Sequence, residues 1–573
     1  MAADISLAPD ANERIDALEK LLGDPRDPAN PVGHAAILAA DERAVLLPAG
    51  EELLDDFGLK AEVVPAELGG RFTRAEDLVE LMRSLYRRDP CLGLGYASST
   101  LLGAVNVWTA GSPEQRADLA ALLLTNGRVA AAYHELAHGN DIGAMEFSAL
   151  AGPAGGLVLN GRKEVVSNLR RADAMVFFAR TDPGPGRRSH SQVYVRKSDL
   201  DPRRYTYLPR FRSVGMRGVD LGGIEIRDCP ISAGSVLGPP GRGMEVTTRA
   251  YQLTRTALPA MCTALLDTGL RTALDHVRSR TLYSRTADTI PMVRTTLVNA
   301  FVDQLVSEAL ALAATRALHL TPKAGSVYAP AVKYLLSGLL LDAMQQLVLV
   351  MGSEFYRRDG ANAIFEKMAR DLKPVGFGHV ARGACLTSLI PQLPLLARRG
   401  WRVAEPAPAG LFAPAATLPP LDFAGLTITS GGYDPLAGSL ATAAERLGPD
   451  APLPLRRLVA RQAAELATLT AQCAGLAPAD LSIVATARTR QLAAAYVTAL
   501  AASACVELQL HHRAAGGFLG GTDWLVAALT RLSAAHLPIS RDVPAEVEGA
   551  LFAELLRRHD RGAGFGISAR HLR

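Results

Sequence analysis

Tyr133-His134-Glu135-Leu136-Ala137-His138-Gly139-Asn140-Asp141 is the stretch on which the reading of this chain turns. It sets polar side chains and a glycine between two different patterns. Before it, an Ala-rich segment expected to be helix ends in Gly127-Arg128-Val129-Ala130-Ala131-Ala132. After it come apolar runs with strand character, Leu157-Val158-Leu159 and Met175-Val176-Phe177-Phe178. The stretch therefore reads as a junction loop between a helical and a β region, the kind of place where binding groups collect.

Outward from this loop the hydrophobic period changes twice. From Glu51 to Val129 it is helical, with Leu78, Leu81, Met82 and Leu85 on one face at spacings of three and four. Gly69-Gly70 and Asp89-Pro90 interrupt it. From about Ala131 to Pro240 the period shortens. Gly223-Ile224-Glu225-Ile226-Arg227 alternates as a half-buried strand does, and Gly155-Gly156 and Asn160-Gly161 supply turns. From Gly243 to Ala397 helices return, with Leu297, Phe301 and Leu305 forming one buried stripe. Prolines loosen residues 401–425 into a linker. Helical segments follow at about Leu455–Gly475, Ala479–Arg513, Asp523–His536 and Pro544–Arg558. The expected class is α+β and multidomain: a helical domain over 1–130, a β domain over 131–240, a helical bundle over 241–400, a linker over 401–425 and a helical extension over 426–573.

Composition narrows the function classes. A chain of 573 residues is too long for one compact core. The net charge of +4, without a dominant basic run, argues against a nucleic-acid footprint. Six scattered cysteines form neither a zinc pattern nor a short disulfide framework. With an N-terminus that lacks a basic and apolar leader pattern, they lead us to expect a reducing, cytoplasmic setting. The apolar stretch Tyr334 to Met351 is broken by Asp342, Gln345 and Gln346, so it is expected to be a core helix and no membrane span is expected.

The opening stretch, followed by Leu159-Asn160-Gly161-Arg162-Lys163-Glu164-Val165-Val166-Ser167-Asn168, resembles the acyl-CoA dehydrogenase and acyl-CoA oxidase superfamily, with wording closest to the oxidases. Further similar segments lie in order: Val64 to Gly70, Gly111 to Arg116, Val214 to Asp220, Val236-Leu237-Gly238 and Arg370-Asp371-Leu372-Lys373. The resemblance runs from about Leu46 to Ala397. It implies the acyl-CoA dehydrogenase-like fold, FAD as cofactor and an acyl thioester as substrate, carried on CoA or on an acyl carrier protein. It also implies an electron-transfer flavoprotein or oxygen as acceptor. The long tail resembles the extra helical domain of the oxidases and very-long-chain enzymes, which implies a homodimer.

The same resemblance assigns residues. Flavin contacts fall at Tyr133, His134, Val165, Ser167, Arg280, Tyr283, Gly352 and Ala381, and substrate contacts at Asn140 and Arg255. Arg280 matches a residue that holds the flavin pyrophosphate, and a guanidinium fork suits phosphate oxygens. In the Q-x-x-G-G-x-G segment of the family only Gly352 keeps its glycine.

The departure that matters most concerns the base. In most of the family the catalytic Glu stands eight residues after the Asp of R-D-x-K; counted from Asp371, that position is His379. A second group places its Glu on the central helix just before the matched Arg, where this chain has Thr254. His379 is either a proton acceptor, with an imidazole pKa near 6.5, or a residue that fills the space of the lost Glu. His138, His511 and His512 lack the further ligands a metal needs, and no metal is expected. His276 and His319 read as helix-surface residues. Three functions follow: flavin-dependent desaturation of an acyl thioester with His379 as base, a catalytically silent partner of an active homologue, or a flavin-dependent monooxygenase on the same fold.

Overall fold

The computed structural model describes residues 9–572 apart from 153–154, 185, 187, 404, 414–416, 483 and 535–542. The N-terminal residues 1–8 and the end of the expected Asp523–His536 helix thus fall outside the described residues, and that helix is described over Asp523–Ala534.

Residues 9–124 are helical as expected, but the Ala-rich segment is not. The helix Pro113–Leu124 stops before Asn126, which takes a left-handed φ of 64°. Val129–Ala132 is instead strand β1, parallel to β4 (Ala174–Arg180). The helix Ser99–Ala110 packs on this strand through Gly103, where an added Cβ would come within 3.0–3.1 Å of Val129.

The β domain continues with β2 (Ser148–Ala151), β3 (Leu157–Ser167), β5 (His190–Arg196), β6 (Tyr205–Leu208) and β7 (Leu221–Ile231). The sheet runs β1-β4-β2-β3-β7-β6, with β5 on the far side of β4. The run Met175-Val176-Phe177-Phe178-Ala179 is apolar at every position because β4 is covered on both faces. Met175, Phe177 and Ala179 face a core inside the β domain, while Val176 and Phe178 belong to the core shared with the helices.

Three long helices, Gly243–Ser279, Pro291–Leu320 and Gly325–Met351, form the bundle. By length and composition alone, Pro291–Leu320, Pro322–Tyr356 and Ala487–His512 could each cross a membrane. In the first and last the apolar window is almost wholly buried against other helices; in Pro322–Tyr356 it is less than half buried.

The described residues between 401 and 425 run as a packed strap. Trp401 donates to Asp434 at 3.0 Å, and Arg249 and Arg316 donate to strap carbonyls. The extension is built on Leu453–Ala474, Ala487–His512, Asp523–Ala534 and Ala545–Asp560. It is fastened to the bundle by ion pairs such as Arg531 to Asp303 and by the Phe565 N–H on Asp267. His276 and His319 are buried, contrary to the surface positions expected of them. Helical period alone placed them outside; the N-terminal domain and the strap cover His319, which accepts from the Ala75 N–H and donates to the Pro419 carbonyl.

Candidate functional site

The junction loop is folded around a buried ion pair. Lys163, on β3, donates to Glu135 Oε1 and to the Tyr133 carbonyl, both at 2.8 Å. Glu135 also accepts the backbone N–H groups of Glu146 and Phe147 at 2.8 and 3.0 Å. Burial pulls the Lys163 pKa down to about 8, although Glu135 opposes it. Burial pushes the Glu135 carboxyl up, but Lys163 and the two N–H groups outweigh it and hold it below its ordinary value. The clamp sets the residues on either side. His134 bridges to Val165, Tyr133 is buried and donates to Asn106 at 2.9 Å, and Ser167 ends β3. Asn140 is exposed at the loop tip.

The segment carrying His379 is pinned from two directions. Asp371, just before it, is buried, accepting from Lys367 and from the Met216 N–H, both at 2.6 Å. Lys333, deep in the helix Gly325–Met351, donates to the carbonyls of Val375 and Gly378 at 2.6 and 3.0 Å. His379 takes φ 64°, an uncommon conformation outside glycine and one that often marks functional positions. Its Nε2 lies 2.7 Å from Thr254 Oγ1, and its ring centre lies 4.1 Å from that of Tyr251. Burial first, and then the charges of Arg255, Lys333 and His134, push its pKa well below the ordinary imidazole value. The ring is neutral at pH 7.

Aromatic rings join this point to the junction loop: Phe178 to Tyr133 at 5.6 Å, Tyr133 to Tyr251 at 5.3 Å, then Tyr251 to His379. Arg255 stands beside Tyr251, with Cζ 5.6 Å from the ring centre. One group of expected site residues is therefore assembled in a single subunit: Tyr133, His134, Val165, Arg255 and His379, with Thr254.

A second group lies at the end of the long helix. Arg280 is exposed, its closest side-chain partner being His276 Nε2 at 3.4 Å. Tyr283 is 90% exposed with φ 52°, and Gly352 closes the helix Gly325–Met351 with φ 56° and open space at its Cα. Glu354, two residues on, and Arg280 both act on His276: burial and then the Arg280 charge lower its pKa, and the Glu354 charge opposes them. Among the described residues no hydrogen bond or ring contact joins this group to His379. Ala381 caps the helix Arg382–Leu389 two residues after His379. The donor set fits FAD: among the described residues Arg280 has no acidic partner, the Tyr283 ring is uncovered, and the first group offers hydrogen-bonding and aromatic side chains.

Sequence reasoning missed Lys163, Lys333 and Tyr251 as parts of the site. Lys333 carried a signal, since it is a lone cation within the apolar run Ala331-Val332-Lys333-Tyr334-Leu335-Leu336. Asp89, Cys91 and Asp371 come close enough to hold a metal ion, but the Lys367 ammonium bonds all three.

Three-part architecture and site geometry together define an α+β protein of the acyl-CoA dehydrogenase fold. An acyl-CoA dehydrogenase from Bacillus anthracis, solved with FAD, superposes with a TM-score of 0.68 at 14% identity, covering 98% of this chain and 97% of that one. The prolyl acyl carrier protein oxidase AnaB superposes with a TM-score of 0.58 at 16% identity over 66% of this chain and 97% of its own. Residues 241–378 match the family model described as acyl-CoA dehydrogenase, C-terminal domain, which stops one residue short of His379. The mitochondrial isovaleryl-CoA dehydrogenase of Oryza sativa is 27% identical over 235 residues, 41% of this chain and 56% of that protein. The chain thus matches little more than half the length of that relative. Over residues 241–378 the chain is similar to the acyl-CoA dehydrogenase family, and across almost its whole length it shares the fold of a relative solved with FAD.

Proposed function

We propose that this protein oxidises an acyl thioester between Cα and Cβ, with His379 as the group that takes the α-proton. The observation that carries this reading is the meeting of His379 with Thr254, the two positions at which the family resemblance sets a carboxylate base. Of that pair only the imidazole can accept a proton near neutral pH. Thr254 Oγ1 also reaches the Tyr251 carbonyl, at 3.4 Å. In the tautomer with Nε2–H donated to Thr254, the hydroxyl turns to that carbonyl and the Nδ1 lone pair is free for the substrate. Lys333 holds the loop carbonyls and so fixes the ring. Tyr133, His134, Val165 and Ser167 would hold the flavin end of FAD, and Arg280, Tyr283 and Gly352 its phosphates and adenine. When bound, FAD supplies the acceptor for the hydride leaving Cβ.

The separation of the two residue groups, together with exposed Tyr283, Met292 and Leu349, supports a homodimer in which each FAD draws on both subunits. The substrate arm is pantetheine, on CoA or on a carrier protein, and the electrons go on to an electron-transfer flavoprotein or to oxygen.

One observation favours a second reading. Burial, and then the charges around it, weaken His379 as a base, which suits flavin chemistry without α-proton removal, as in a monooxygenase or a silent partner subunit. Mixing the FAD-loaded protein with acyl thioesters, with and without oxygen, decides between them. Anaerobic bleaching of the flavin supports desaturation. No bleaching by any thioester, with oxygen consumed only when reduced flavin is supplied, supports the monooxygenase. Neither response supports the silent subunit.

A further inference from the structure

Among the described residues Arg255 has no carboxylate partner. Its Nε is sealed from solvent and has no hydrogen-bond partner among the described residues. The acidic groups that face it are the Cys385 thiol and the Tyr251 phenol, and burial keeps both protonated. Lys333 adds a second positive charge, and its own partners, the carbonyls of Val375 and Gly378, bring no negative charge. The space beside His379 is thus bordered by Arg255, by Lys333, whose own pKa burial lowers, and by the imidazoles of His379 and His134. Arg255 is half-buried and its terminal nitrogens are not sealed, so the guanidinium is placed to receive an anionic group from a ligand.

We propose that the acyl group accepted here ends in a carboxylate, which pairs with Arg255 and completes the site. This rests on the acyl-thioester reading above and narrows its substrate class. A guanidinium donates two parallel N–H···O bonds to a carboxylate, a geometry that neither a plain alkyl end nor an ammonium end satisfies. An aminoacyl thioester would bring a further positive charge into the same space. The pairing also bears on the chemistry: a carboxylate beside Arg255 offsets the charge that presses on His379 and raises the ring's proton affinity when substrate is present.

The test uses the full chain with FAD at saturation, so that the cofactor cannot itself be the missing anion. Calorimetry compares three pantetheine conjugates in which an amide replaces the thioester, so that they bind without turnover: glutaryl, 5-methylhexanoyl and 4-aminobutyryl. The glutaryl conjugate is expected to bind about tenfold or more tightly than the alkyl one, with the amino one weakest. Arg255→Met should abolish the glutaryl advantage, so that the glutaryl and alkyl conjugates bind alike. If the wild type binds the alkyl conjugate as tightly as the glutaryl one, the proposal fails while the acyl-thioester reading stands; binding of none of the three removes both. A folded Arg255→Met protein that keeps the glutaryl preference also overturns the proposal. Should that variant fail to fold, the wild-type ranking alone decides.

Discussion

His379 Nε2 and Thr254 Oγ1 lie 2.7 Å apart although 125 residues separate them in the chain. One sits on a short loop after a buried ion-pair cluster, the other inside the 37-residue helix Gly243–Ser279. The two positions act as one place in the fold, and a change at either is felt at the other.

Thr254→Val keeps the side chain's shape and removes the hydroxyl that orients the imidazole. A neutral hydrogen bond contributes about 1 kcal/mol net, so flavin reduction by a thioester should slow roughly fivefold. Thr254→Ser, which restores the hydroxyl, should return most of the rate. A Val variant as fast as wild type would show that the contact does not position the ring.

Lys163→Met leaves Glu135 buried without its ammonium partner. Breaking a buried pair in this way costs about 3–5 kcal/mol. Thermal melts should show the loss, and FAD affinity should fall with it because the loop carrying Tyr133 and His134 is no longer clamped. Unchanged melting and unchanged FAD binding would mean that the loop is held by other contacts.

Acid should destabilise the protein through His319. Burial lowers its pKa to about 4, partly offset by the Pro419 carbonyl, against about 6.5 in the unfolded chain. As pH falls below 6.5 the unfolded chain binds the proton first, so the stability contributed by the neutral ring is lost between pH 6.5 and about 4. The loss amounts to about 3 kcal/mol. Urea melts across this range should show a shallower slope for His319→Gln than for wild type; parallel slopes would exclude His319 as a source of acid lability.

The large divisions of the fold were legible because they rest on period. The alternation Ile224-Glu225-Ile226 and the stripe Leu297, Phe301, Leu305 need no partner to be recognised, and both lie where that pattern placed them. Val129–Ala132 was read as helix because alanine carries a helical propensity that parallel pairing with β4 overrides. His319 was set on the surface because a helix shows its period and not what later segments lay over it. Within the site, the count from Asp371 brought His379 into view. What the count could not supply was charge: the effect of Arg255 and Lys333 on the ring depends on three segments converging, and linear spacing carries no such information.

The central claim is that His379 is the proton acceptor. Its most direct test is the anaerobic rate of flavin bleaching after mixing FAD-loaded wild type and His379→Ala with a thioester that wild type oxidises. The account predicts that the variant retains FAD and bleaches about 10² to 10⁴ times more slowly, the usual contribution of a general base. Equal bleaching rates in the two proteins would contradict it and return His379 to the part of a space-filling residue.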